Sequence, residues 1–195
     1  MEPLDKKEIL PASKIFAAAM FNDPLHIWFL PDPTTRLQKL EHLYHFKLKS
    51  QWKSAFRVSQ NMEGICIWEK PEEQHAAITF SDLYYGLSLL FQVGLVSLWK
   101  MIRYQLWSTR LRIKVTNERH WYLNVIVVSP DHQGKGMASK MIKPFLEKAS
   151  QVGEMAYLET QNVNNVPIYE KYGFVLMESK EIFHTGIFHH CMLKK

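Results

Sequence analysis

Gly134 and Gly136 stand one residue apart within Leu123 to Ser139, LNVIVVSPDHQGKGMAS, where an apolar run stops at Pro130 and a helical pattern opens from about Met137. A residue without a Cβ lets the backbone turn sharply, so that successive N–H groups converge on one point. The first turn of the following helix aims its own unpaired donors and its positive dipole end at the same place. The segment therefore reads as a strand that ends in an anion cradle, and a cofactor carrying a diphosphate is its natural occupant. Lys135 either adds a charge to that cradle or points to water.

Other glycine loops fit less well. A nucleotide-hydrolase loop needs four residues between its glycines, and here there is one. The dinucleotide pattern GxGxxG is met from Gly134 as far as Ala138 and fails at Ser139, and Glu159 stands where a ribose-binding acid belongs. The loop lies so late in the chain that few βαβ units can follow it, yet a nicotinamide-dependent oxidoreductase stays open as an alternative.

Gln133, Gly136 and Ala138 occupy the fixed positions of a Gln/Arg-x-x-Gly-x-Gly/Ala pattern, and Asn162, Tyr169, Gly173 and Phe174 form a second pattern about thirty residues on. Together they resemble the signatures of the GNAT superfamily of acyl-CoA-dependent N-acetyltransferases, from His120 to Phe174. Departures are Asn165, where many members have Ala, and Pro167 inside the short helix. The resemblance implies acetyl-CoA as co-substrate. It also implies contacts to that molecule from Ile126, Val127 and Val128 on the central strand, from Gln133, Gly134, Lys135, Gly136, Met137, Ala138 and Ser139 in the loop, and from Asn162, Asn165 and Tyr169. Tyr169 would sit near the thioester sulfur and donate to it, and an amide of Val127 or Val128 would serve the thioester carbonyl. The implied fold is α/β (α+β): a mixed, mostly antiparallel central sheet flanked by helices.

Amine acylation asks for a neutral nucleophile, a donor for the developing oxyanion and a proton for the leaving thiolate. His120, Tyr122 and Asn124 alternate along one face of the central strand. His120 has the intrinsic pKa of a general base, and Glu159, closing the next strand, is the other candidate. Neither Cys66 nor Cys191 stands in a nucleophile context, which favours direct transfer.

The elements that must position these residues begin with a helix over Pro11 to Phe21 and a longer one capped by Thr34 or Thr35 and running to Trp52. Strands follow over Ala55 to Asn61 and Gly64 to Glu69. Leu83 to Trp99 is seventeen residues without a charge, shorter than the ~20 a bilayer core needs. It belongs to a helical insertion over residues 81–110 and is expected to be buried or at an interface. There Tyr84, Tyr85, Leu87 and Phe91, with Tyr122 on the strand, would wall the acceptor pocket, a dimer contact being the alternative. Beyond the loop come a helix over Ser139 to Ser150, kinked by Pro144, and strands over Val175 to Phe183 and Ile187 to Leu193.

With 195 residues, 47% of them hydrophobic and 13% aromatic, one globular domain spanning 1–195 is expected. The net charge of +5 suits a phosphate-bearing ligand, and no basic run with interleaved aromatics calls for nucleic acid. His42 with His45, and His184 with His189 and His190, invite a zinc reading but sit on a wet helix face and around a turn, so no metal is expected. Two cysteines far apart and a charged N-terminus without an apolar core suggest the cytoplasm. The expectation is an N-acetyltransferase acting on a small-molecule amine, monomeric or homodimeric, with no membrane partner. A non-catalytic acyl-CoA sensor is the remaining alternative.

Overall fold

Aspartate followed by proline starts two helices in the N-terminal half. The computed structural model describes residues 1–74 and 88–195. Asp23 Oδ1 accepts the amides of Leu25 and His26 at 3.0 and 3.1 Å and opens α2 (Pro24–Phe29). Asp32 accepts the Thr34 amide at 3.0 Å and opens α3 (Pro33–Gln51). The expected cap at Thr34 or Thr35 is thus corrected to Asp32: a carboxylate is the stronger acceptor, and both hydroxyls donate to it at 2.7 Å. Those bonds, Thr34's first, hold the Asp32 carboxyl down at about 2. Helix α2 has no counterpart in the sequence reading, since six residues are too few to show a helical period. Before it, α1 (Ile9–Met20) packs on α3, with Phe16 stacked on Tyr44 at 4.9 Å between ring centroids.

The sheet contains β1 (Glu2–Pro3), β2 (Ala55–Arg57), β3 (Gly64–Glu69), β4 (His120–Val128), β5 (Met155–Thr160), β6 (Val175–Glu181) and β7 (Phe188–Lys194). Their order is β1-β2-β3-β4-β5-β7-β6, antiparallel at every described junction except the parallel pair β4–β5. This is the mixed, mostly antiparallel sheet that was expected. Strand β2 stops short of Asn61 because Ser59 begins a turn: Met62 N–H donates to its carbonyl at 3.1 Å, and Met62 takes a left-handed φ of 54°.

One face of the sheet is covered by α1, α2, α3 and α4 (Leu95–Val115), the other by α5 (Met137–Gln151) and α6 (Val166–Glu170). The apolar stretch does not form one continuous helix. Residues 88–93 are helical, Gly94 breaks the run with φ of 86°, and α4 starts behind it and reaches Val115, beyond the expected end at 110. Tyr84, Tyr85 and Leu87 lie outside the described residues. On the opposite face α5 stays helical through Pro144, and its Phe145 stacks on Trp68 at 5.3 Å and meets Phe56 edge-on at 4.8 Å. Phe145→Ala is expected to lower the unfolding free energy by roughly 3–5 kcal/mol, measured by urea denaturation.

Candidate active site

Strand β4 is irregular at the one position where irregularity opens the sheet. Against β3 the register runs Ile67 to Val125 and Trp68 to Leu123, so Asn124 is an extra residue. Before it, Trp121 and Leu123 face α5; after it, Ile126 and Val128 do, while Val125 and Val127 join the core under α1. The bulge thus changes the phase of the strand, with Tyr122, Asn124 and Val125 on one face. Pairing with β5 runs from His120 opposite Met155 to Leu123 opposite Leu158 and stops there. Asn124, Val125 and Ile126 are partly exposed, although they lie in the middle strand of the sheet. The two strands splay from this point toward their C-terminal ends, where crevices of parallel pairs bind ligands.

The backbone facing the gap is set by alternation. Ser129 N–H donates to Glu63 O at 2.9 Å, making that a hydrogen-bonded pair. Two residues back, the amide of Val127 is turned to β3, and those of Ile126 and Val128 face the gap. Of the two amides expected to serve a carbonyl, Val128 is the one so placed.

The glycine loop lies at the open end. Gly134 and Gly136 both have φ of 75°, and Gly136 occupies the N-cap of α5 with no side chain capping the first turn. Among the described residues, the amides of Gly134, Lys135, Gly136, Met137 and Ala138 have no hydrogen-bond partner. A Cβ built on either glycine meets nothing within 4 Å, so there is open space beside the loop. Unpaired converging donors, a helix N-terminus and clear space fit a diphosphate. Lys135 folds back, its Nζ donating to Asp131 O at 2.9 Å, and Gln133 Nε2 reaches Val128 O at 3.4 Å. Ser139 is already bonded to Gly136 O at 3.1 Å.

On the α4 side of the gap stands a buried polar cluster. Glu159 Oε1 accepts from Tyr157 Oη at 3.0 Å and Oε2 from Tyr122 Oη at 3.3 Å. Burial pushes the Glu159 carboxyl above the usual range, against the pull of Arg112 and the two phenols. Arg112 lies over the Tyr122 ring at 4.5 Å. Glu69, which accepts from Gln51 Nε2 at 2.7 Å and from Asn124 Nδ2, is raised by burial as well. The ammonium of Lys47 feels both carboxylates while burial pulls its pKa down. His189, opposite Glu159 with Nε2 3.7 Å from Oε2, is lowered to about 4 by burial and stays neutral. Gln161 Nε2 and Tyr104 Oη each lie 3.0 Å from its Nδ1, and its Nε2 faces the carboxylate.

The sequence candidates divide on this geometry. Glu159 and Tyr122 are in the cluster. Tyr169 lies on the α5 side, buried against Phe174 with its hydroxyl pushed up to about 12 by burial, and so remains protonated. Asn162 caps the turn before α6 through Asn164 N–H at 3.1 Å, and Asn165 Nδ2 ties the same turn to Thr160 at 3.2 Å. Pro167 lies in the first turn of α6, where the helix needs no amide from it. His120 sits at the closed end of the β4–β5 pair, about 13 Å of strand before the bulge. There its Nδ1 is 2.7 Å from Glu118 O and its ring meets Tyr157 edge-on at 5.6 Å. Phe91 departs from its expected place: Leu89 and Val93 turn inward, and Phe91 between them is 83% exposed. Ser88, Leu89 and Gln92 instead line a cavity of about 320 Å³ with residues of α1 and α3, His42 and His45 among them. Glu69, Lys47, Arg112 and Tyr157 were not singled out from sequence, and His189 was noted only as part of a histidine cluster around a turn. Of the four, only Tyr157, two residues from Glu159 and hence on its face, carried a readable signal.

Comparison with known proteins places this geometry. Residues 111–195 match the acetyltransferase (GNAT) domain family. An uncharacterized N-acetyltransferase of Schizosaccharomyces pombe is 40% identical over 67 residues, 34% of this chain and 27% of that protein. The L-amino acid N-acyltransferase MnaT of Escherichia coli is 33% identical over 61 residues, 30% of this chain and 36% of its own length. The chain thus spans about a third or less of the curated relatives it matches. A Corynebacterium glutamicum structure described as histone acetyltransferase HPA2 and related acetyltransferase superposes with a TM-score of 0.65 at 18% identity, covering 98% of this chain and 93% of that one. Its likeness is one of fold. The bulged strand, the splayed pair and the glycine cradle thus lie in the part of the chain, residues 111–195, that matches the acetyltransferase (GNAT) domain family.

Proposed function

We propose that the chain is an acetyl-CoA-dependent N-acetyltransferase that acylates a small-molecule amine directly, with residues 1–195 acting as one domain. The observation that carries this reading is the gap between β4 and β5, with unpaired amides of the glycine loop at its mouth and a buried carboxylate on the side opposite α5. Enzymes of the GNAT fold use an acyl-CoA co-substrate. When bound, it supplies the thioester whose acetyl group passes to nitrogen. Gly134 to Ala138 would hold its diphosphate, and the amides of Ile126 and Val128 its pantetheine edge.

Glu159 takes the proton of the incoming ammonium, because burial has raised its affinity for one. Tyr122 and Tyr157 fix both its oxygens and stay neutral, being raised by burial themselves. Tyr169 keeps its hydroxyl proton at neutral pH and can donate a hydrogen bond to the departing thiolate. Direct transfer is favoured because both cysteines are buried, with burial pushing the Cys66 thiol up and Cys191 to about 12. An oxidoreductase reading is disfavoured by a sheet antiparallel at every described junction but one.

Thiol release from acetyl-CoA across a panel of small amines tests the proposal, and amine-dependent release is the expected result. Stabilisation by CoA without acetyl consumption on any amine would overturn it in favour of a sensor. Tyr169→Phe should lower kcat by about ten- to hundredfold with CoA affinity changed less than threefold. Unchanged turnover would remove Tyr169 from the chemistry.

A further inference from the structure

Helix α4 is apolar on two opposite faces. Its inner face puts Tyr104 and Leu111 into the core and Trp107 against it. Its outer face shows Leu95, Trp99, Ile102, Leu106 and Ile113, each between 52% and 74% exposed. Their spacings of four, three, four and seven keep them on one line, about 27 Å long at 1.5 Å per residue. A monomeric surface rarely leaves such a stripe bare.

Charge says what covers it. Within Leu95–Val115 there are five cations, Lys100, Arg103, Arg110, Arg112 and Lys114, and no acidic residue. Lys100 and Arg112 turn inward, to Trp28 O at 2.8 Å and over the Tyr122 ring. Arg103, Arg110 and Lys114 are exposed beside the stripe. Arg103 stacks over Phe183 and Trp99, at 3.9 and 5.2 Å, and Lys114 meets Glu178 on β6 at 3.1 Å. A two-fold contact between copies uses one patch against itself, which would set cation beside cation with no acid on the helix to answer them. A stripe of Leu, Ile and Trp bordered by Arg and Lys matches an interface of acyl chains under anionic headgroups.

We propose that the outer face of α4 docks the protein on a membrane surface bearing anionic phospholipid headgroups, lying in the surface and not crossing it. No described helix is long and apolar enough to cross a membrane. Such docking departs from the expectation of no membrane partner and does not depend on whether the chain acetylates amines.

Co-sedimentation of the full chain with vesicles tests it. Binding to phosphatidylglycerol–phosphatidylcholine vesicles should exceed binding to pure phosphatidylcholine at least tenfold and weaken as salt is raised from 0.1 to 0.5 M. Leu106→Glu and the pair Arg103→Glu with Arg110→Glu should each lower it about tenfold or more, with thermal unfolding and CoA binding unchanged as the control for folding. Absence of binding, or equal binding to both vesicles, overturns the proposal. So does a dimer by light scattering that Leu106→Glu dissociates without vesicle binding, which would assign the stripe to a second copy. Slow alkylation of Leu106→Cys in the lipid-free monomer would show the stripe covered by residues 75–87 of the same chain and overturn it likewise. The native thiols are buried and stay silent in that measurement.

Discussion

Gly136→Val is expected to raise the dissociation constant for CoA by about a hundredfold while leaving the fold in place. Gly136 has φ of 75° at the N-cap of α5, a conformation that costs a non-glycine residue about 1–2 kcal/mol and a β-branched one more. A Cβ there collides with no protein atom, so the damage to the apoprotein stops at that strain and unfolding should shift by only a few degrees. The side chain would also take up open space beside the unpaired amides of Gly134 to Ala138, where the cradle needs room for a diphosphate. Loss of several backbone–phosphate bonds accounts for about 2.7 kcal/mol, the hundredfold. Calorimetric titration of CoA into both proteins measures it. Unchanged affinity, with the variant folded, would remove the loop from cofactor binding.

Glu159→Gln is expected to reduce kcat/KM by about 10²- to 10⁴-fold and to abolish the acidic limb of the pH profile. For the parent enzyme kcat/KM should fall as pH drops through the raised pKa of this carboxyl, above the usual glutamate range. Stability runs the other way. A carboxyl raised in the folded state binds its proton more tightly there than in the unfolded chain. Its favourable contribution is therefore complete below the unfolded value and is lost as pH rises through the folded one. The Gln variant lacks that loss, so its Tm should decline less than the parent's between mildly acidic and neutral pH. A variant that keeps the acidic limb would exclude Glu159 as base and leave Glu69, the other buried carboxylate raised by burial, to supply it.

Sequence alone made the glycine loop, the strand before it and Glu159 legible, because each depends on local chemistry: a positive φ, a proline stop, an acid at a strand end. What escaped it was set by register. Alternation from His120 counts Tyr122 and Asn124 on one face correctly and then fails, because Asn124 is extra to the ladder and everything beyond is inverted. Arg112 and Lys47 look like ordinary basic residues on amphipathic helices, and only tertiary packing turns them toward Glu69 and Glu159. Asp32 was missed as a cap for a simpler reason: it competes with two threonines that themselves became its donors. His120 looked catalytic by residue type, but β4 and β5 are still zipped together at its position.

The surplus residue at Asn124 prevents the sheet from healing itself. Without it, β4 would keep one alternation from end to end, and its edge could run flush with β5 and fasten every amide that now borders open space. Such a molecule would gain ladder bonds and forfeit its seam. Deletion of Asn124 is thus expected to give a sturdier chain that has lost its opening.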